Sequence, residues 1–409
     1  MSASWKNPFL STVMAIRRKG RVPMPRGASA RTTISDIAIG KFAQIWFQTS
    51  GCVWDRMGQC TMCDYGAGPA PRVDEMISVV TQAIETARRE EPLGVLYVSP
   101  SGSFLDAREV PHRAQVEILR AMKNVEAAEY VFEARPELIT PDSLSMVRSV
   151  LDTERVVIET GIESDCDWVL RYCHNKHGVS GELANAVRVA GDYGIAIVAN
   201  IALGAAFLRE PEAMIDARRS ILNAYHQGAE AVILFPLHAK ENTLLAVLLS
   251  LGIYRPPWLH SIAALLLSLP ASLRSKTEIS WYRDNSGSLP AHASPRNCGT
   301  CDADALSLLD AYRSDQDPAH LRAMLTSTCG CRNEWLQDLV TKGGEPVAHR
   351  LLRGYAIVAA EVGVTFGVEL PEMERQQLIQ SVPGHLSGRE QEIKSLLDAA
   401  CVVADPVRS

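Results

Sequence analysis

Thr49-Ser-Gly-Cys-Val-Trp-Asp-Arg-Met-Gly-Gln-Cys-Thr-Met-Cys-Asp-Tyr-Gly66 follows directly on the chain's first apolar run, Phe42–Gln48. It carries three cysteines, with seven and then two residues between them. Thiolates are soft and charge-compensating, and they hold iron–sulfur clusters well. Three of them on one loop serve three irons of a [4Fe–4S] cube and leave the fourth iron open to a small molecule. Gly51, Gly58 and Gly66 let such a loop wrap tightly. A structural zinc site wants four closed ligands, and no fourth cysteine or histidine lies near in sequence. Cys52, Cys60 and Cys63 are therefore read as iron ligands.

Outward from this loop, short apolar runs alternate with helical patterns. Strands are expected at Phe42–Gln48, Val95–Ser99, Tyr130–Glu133, Arg155–Glu159, Ala196–Ile201 and Ala231–Phe235. Between the first two, Met76, Ile77, Val80, Ala83, Ile84 and Ala87 fall at helical spacing. Helices are also expected at Arg113–Lys123, Pro141–Leu151, Glu182–Asp192 and Pro211–His226, with Pro211 in a first turn and Gly228 just past an end. Six strand–helix units imply a parallel sheet with right-handed crossovers, short of the eight of a closed barrel. The expected fold is α/β, a partial TIM-like (β/α)6 barrel. An N-terminal arm at 1–41, basic and rich in Ser, Pro and Gly, is read as extended. The barrel would span 42–290 and a small cysteine-containing domain 291–409.

Ligands of such folds gather at the carboxyl ends of strands. That position singles out Ser101-Gly-Ser-Phe-Leu-Asp106, Glu133-Ala-Arg135, Glu159-Thr-Gly-Ile-Glu163, Asn200 to Gly204 and Pro236-Leu-His238. Position in the fold and cysteine spacing are independent signals, and they agree.

The 409 residues carry a net charge of −6, with 47% hydrophobic and 22% charged residues, ordinary globular usage. The mild acidity weighs against general nucleic-acid affinity. The greasiest stretch, Leu244 to Leu269, is broken by Gly252, Arg255, Pro256, Pro257 and His260 and reads as core helices around a bend rather than a membrane span. No export signal is seen, so a cytoplasmic location is expected, with cysteines kept for metal or catalysis rather than disulfides. Seven of the ten cysteines fall in two groups; Cys166, Cys173 and Cys401 are read as buried small hydrophobes.

The loop resembles that of the radical S-adenosylmethionine (SAM) superfamily. The familiar superfamily spacing is three and then two residues. The longer first gap here, with Cys-Thr-Met-Cys and a following Tyr, is similar to the branch of Elongator catalytic-subunit relatives and archaeosine-synthase-like (RaSEA-like) enzymes. Ser101-Gly-Ser-Phe-Leu-Asp106, Phe132-Glu-Ala-Arg-Pro-Glu-Leu-Ile-Thr140 and Tyr254-Arg-Pro-Pro-Trp-Leu259 support that branch, over about residues 42 to 270. The resemblance implies a [4Fe–4S] cluster whose open iron is chelated by SAM, and reductive cleavage to methionine and a 5′-deoxyadenosyl radical that takes hydrogen from substrate. It implies that Tyr65 lies against adenine. Ser101, Gly102 and Ser103 would meet the SAM amino group. Glu133 and Glu159 suit ribose hydroxyls or the SAM ammonium, Arg135 its carboxylate, and Asn200 adenine or ribose. Glu133 and His238 are the candidates on the substrate side. His174, Lys176 and His177 are read as either facing substrate or forming a solvated turn.

Cys298-Gly-Thr-Cys301 and Cys329-Gly-Cys331 make four thiolates in two close pairs: a closed zinc site or a second, fully ligated [4Fe–4S] cluster, with a lean to the cluster. Helical patterns at His349–Val362 and Glu390–Val403 are read as packing. The favoured function is hydrogen abstraction from a nucleoside-like small molecule, leading to sulfur insertion or bond rearrangement, with a flavodoxin or ferredoxin as reductant. The alternative is a RaSEA-like carbon–nitrogen lyase acting on a modified tRNA base. An alternative of another class is a non-catalytic, metal-bound RNA-binding or scaffold protein.

Overall fold

A computed structural model describes residues 7–19, 27–37, 39–65, 68–176, 178, 181–280, 282–283, 291–340, 345–371 and 375–387, with 392, 394, 396 and 398. The strands are β1 (Ala30–Ile37), β2 (Gly40–Phe47), β3 (Leu93–Pro100), β4 (Ala127–Glu133), β5 (Val156–Glu163), β6 (Ala196–Leu203), β7 (Ala231–Pro236), β8 (Ala239–Lys240), β9 (Thr277–Ile279) and β10 (Ala291–Ala293). One eight-stranded sheet runs β1-β2-β3-β4-β5-β6-β7-β9, and β8 pairs with β10 separately. From β2 through β7 every neighbour is parallel, and β9 adds a further parallel strand beside β7. The six expected strands are all present, in sequential order, as a curled partial barrel.

Burial explains why they were legible. β3 is buried at all eight positions, the mark of a strand covered on both faces. The helix Val73–Arg88 turns Met76, Val80, Ala83, Ile84 and Ala87 inward, the face its spacing specified. Pro141 opens its helix at the first turn, and the Thr140 side chain caps it by accepting from the Ser143 N–H. The stretch from Leu244 divides into buried helices Leu244–Ser250 and Leu259–Leu267 around the proline bend. Among the described residues no helix is long and apolar enough to cross a membrane.

The first forty residues differ from expectation. Pro8–Lys19 is a helix and Ala30–Ile37 is an edge strand antiparallel to β2. The helix buries Phe9, Leu10, Val13, Met14 and Ile16, and Phe9 stacks on Tyr355 with ring centroids 4.7 Å apart. Tyr355 belongs to the helix Val347–Phe366, which contains the expected His349–Val362. The pattern expected at Glu390–Val403 lies largely outside the described residues, as does Cys401.

The N-terminal helix bears directly on the cysteine loop. Gly58 has φ +77°, and a Cβ built there would lie 2.3 Å from the Ser11 carbonyl oxygen. Gly58→Ala therefore combines left-handed strain of about 1–2 kcal/mol with a backbone clash. A loss of at least ~1 kcal/mol in denaturant unfolding is expected; unchanged stability would contradict this packing.

Candidate active site

The loop after β2 is held from two sides. Arg18, from the N-terminal helix, donates to the carbonyls of Asp55, Gln59 (2.6 Å), Cys60 (3.2 Å) and Cys63 (3.3 Å) and pairs with the Asp55 carboxylate at 2.6 Å. From the other side, the Cys60 N–H donates to the Asn175 carbonyl (3.1 Å) and the Thr61 N–H to that of His174 (2.8 Å). The Asn175 amide donates to the Gly58 carbonyl at 2.8 Å. His174 and Lys176 thus belong to a buried support of the loop, not a solvated turn. Burial pushes the His174 pKa down to about 3, so its ring is neutral. Lys176 pairs with Glu163 at 2.6 Å. His177 lies outside the described residues, as does Gly66.

Cys52, Cys60 and Cys63 interact electrostatically with one another. Burial pushes the Cys63 thiol up to about 12 and the Cys60 thiol well above its ordinary value. A bound cation is what would ionise such thiols. Three soft thiol donors on one loop, close enough to interact, fit a [4Fe–4S] group held by three thiolates.

Ser101, Gly102 and Ser103 form the turn after β3. Ser101 Oγ accepts from the Thr49 N–H (2.9 Å), and its carbonyl accepts from the Thr49 hydroxyl (2.9 Å). Gly102 has φ +148°, and a Cβ there would meet Glu109 Oε2 at 2.1 Å. Glu109, which sequence reasoning missed, is the hub: its carboxylate accepts from the N–H groups of Val53 (2.7 Å) and Ser103 (2.6 Å) and from Arg135 (2.7 Å). Arg135 also pairs with Asp106 and, at 2.9 Å, with Glu137. Its Nη1 stands 3.5 Å from Cys52 Sγ, and its guanidinium lies over Trp54. The expected partner of Arg135 was a SAM carboxylate; in the structure the guanidinium is engaged by three carboxylates and acts on the cysteine loop.

Glu133 and Glu159 are aligned partners on β4 and β5, so two carboxylates stand side by side. The Tyr97 hydroxyl donates to Glu133 (2.5 Å) and the Asn200 amide to Glu159 (2.6 Å). Tyr65 lies within electrostatic reach of Glu133, Cys63 and Glu159, and Lys240 Nζ sits 5.4 Å from its ring centroid. The fold therefore brings Tyr65, Glu133, Glu159 and Asn200 to the cysteine loop. Tyr97, on β3, escaped sequence reading because nothing in the sequence shows which face of β3 turns to the loop, and Lys240 because β8 is only two residues long. His238 is buried, its Nδ1 3.0 Å from Ser294 Oγ.

Burial and the neighbouring Glu133 raise Glu159 from 4.5 to about 8. Between those values the folded chain keeps a proton that the unfolded chain has lost, so this group's contribution to stability falls as pH rises through that window. Glu159→Gln keeps an acceptor for Asn200 and removes the titration. The variant's melting temperature is expected to rise relative to wild type on going from pH 5 to pH 8; parallel profiles would contradict the raised pKa.

Away from the loop, Cys298, Cys301, Cys329 and Cys331 have sulfurs all within 4.8 Å of one another. Cys173 is buried and Cys166 partly so.

A curled parallel sheet with a three-cysteine loop after its first parallel strand, and titratable side chains at the other strand ends, is the arrangement that the resemblance to radical SAM enzymes implies. No family model matches it. It is 29% identical over 336 residues, 80% of its length and 94% of the relative's, to archaeosine synthase subunit beta of Methanosarcina acetivorans. It is 27% identical over 297 residues, 70% of its length and 88% of the relative's, to archaeosine synthase subunit beta of Thermococcus kodakarensis. Among solved structures it is similar to archaeal Methanocaldococcus infernus Elp3, at 12% identity and TM-score 0.43 over 59% of each chain, too loosely to add to the fold described above. These curated relatives are similar to the chain over most of their own length, in line with the Elongator- and RaSEA-like resemblance of the sequence.

Proposed function

We propose that the protein is a radical SAM enzyme acting on a modified base in tRNA, breaking a carbon–nitrogen bond. The observation that carries this reading is the similarity to archaeosine synthase subunit beta across 94% of that relative. Against it stands the mild acidity that favoured a nucleoside-like small molecule.

Cys52, Cys60 and Cys63 would hold the cluster, and Tyr65, Ser101 to Ser103, Glu133, Glu159 and Asn200 would line the SAM and substrate space. When bound, the cluster and SAM supply a 5′-deoxyadenosyl radical that abstracts hydrogen. The chain's own part is to orient the reactants and exclude water. With its raised pKa, Glu159 is positioned to donate a hydrogen bond at neutral pH rather than carry charge.

The test uses anaerobically reconstituted protein with reductant and SAM, offered total tRNA from cells lacking this gene, with nucleosides read by mass spectrometry. Conversion of one modified nucleoside, with matching 5′-deoxyadenosine, is expected. Turnover with free nucleosides and none with tRNA would return the small-molecule reading.

A further inference from the structure

We propose that Cys298, Cys301, Cys329 and Cys331 hold a single tetrahedral zinc ion rather than a second iron–sulfur cluster. The sulfur separations are 3.8 Å for Cys298–Cys301, 3.5 Å for Cys298–Cys329 and 3.4 Å for Cys301–Cys331. Four thiolates at ~2.3 Å from one zinc ion stand about 3.8 Å apart, the edge of that tetrahedron. Four thiolates on a cubane each bind a different iron and project from separate corners, so they stand farther apart. All four sulfurs lie within 4.8 Å of one another, close enough to share one ion.

The surroundings suit a compact S4 anion. Asn297 Nδ2 lies 3.6 Å from Cys301 Sγ, and His260 Nε2 lies 3.7 Å from Cys331 Sγ, both placed to donate to thiolates. Cys301 is the N-cap of the helix Asp302–Asp315, and Cys331 is the first residue of the helix Cys331–Val340. Two helix N-termini therefore begin at the ligands, where the helix dipole favours negative charge. Cys298 is solvent-exposed. A zinc ion, with no redox chemistry, tolerates such an edge position and ties the two helices together. The helix Cys331–Val340 packs on the helix Leu259–Leu267 through the hydrogen bond from Trp335 Nε1 to Ser261 Oγ, 2.8 Å.

This inference does not rest on the proposed tRNA reaction. It does remove the second cluster that sulfur insertion would have drawn on.

The experiment counts metals in the full-length wild type and in Cys52→Ala/Cys60→Ala/Cys63→Ala. The triple variant is expected to lose its roughly four irons and keep about one zinc per chain. Zinc-edge X-ray absorption of the wild type should show a sulfur-only shell at ~2.3 Å. Cys298→Ala/Cys301→Ala should lose the zinc. Iron remaining in the triple variant, whether a cluster or a single ion, would overturn the proposal, and so would absence of both metals. If the triple variant does not fold, the wild-type zinc count and its sulfur shell decide the matter.

Discussion

Cys60→Ala is expected to strip the protein of its cluster iron, from about four per chain to less than one, because two remaining thiolates cannot hold a cube. The paramagnetic signal of the reduced cluster should vanish with it. The fold should survive, since the Cys60 contacts to its support are made by the backbone: its N–H to the Asn175 carbonyl and its carbonyl to Arg18. Circular dichroism and melting of the variant separate loss of iron from loss of structure. A folded variant with full iron content would remove Cys60 from the ligand set.

Arg135→Met is expected to be the costliest single change to the barrel end. The Arg135 side chain is 10% exposed, and those of its partners Asp106 and Glu109 are 3% and 0%. Removing the cation leaves the buried Glu109 carboxylate without a guanidinium and Asp106 with only the more exposed Arg108, a loss of up to roughly 3–5 kcal/mol. Arg135→Lys keeps the charge but not the fork that serves both partners, so its loss should be smaller. Where the Met variant still takes up a cluster, the missing positive charge near Cys52 Sγ should make the cluster's reduction potential more negative. Stability within ~0.5 kcal/mol of wild type would show that the network is dispensable.

Much of this architecture was legible in the sequence because the signals were strong and local. β3 and β6 read as strands because covered parallel strands are apolar almost throughout, and the helix Val73–Arg88 showed its inward face at regular spacing. The edge strand β1 was hidden. Ala30-Arg-Thr-Thr-Ile-Ser-Asp-Ile37 is mostly exposed, and its pairing with β2 is made by the backbone. β9 has only three residues, too few for any periodicity. At the site, Glu133, Glu159 and Asn200 were singled out by strand-end position, and Tyr65 by the family resemblance. Glu109, Arg18 and Asn175 could not, because each acts through hydrogen bonds to distant backbone that carry no sequence signature. Arg135 shows the limit of reading chemistry from residue type: a guanidinium at a strand end suits a ligand carboxylate, and here it is taken by Asp106, Glu109 and Glu137. The paired cysteines beyond the barrel read as a candidate metal site, but spacing alone did not separate zinc from a cluster; the sulfur separations are what carry the zinc proposal.

The most direct test of the account is whether the reduced, cluster-loaded protein cleaves SAM. Protein reconstituted without oxygen would be reduced and given SAM, with 5′-deoxyadenosine and methionine measured together. Equimolar formation of the two, absent from Cys60→Ala, is the predicted result. A fully loaded, reducible cluster that leaves SAM intact with and without tRNA would contradict it.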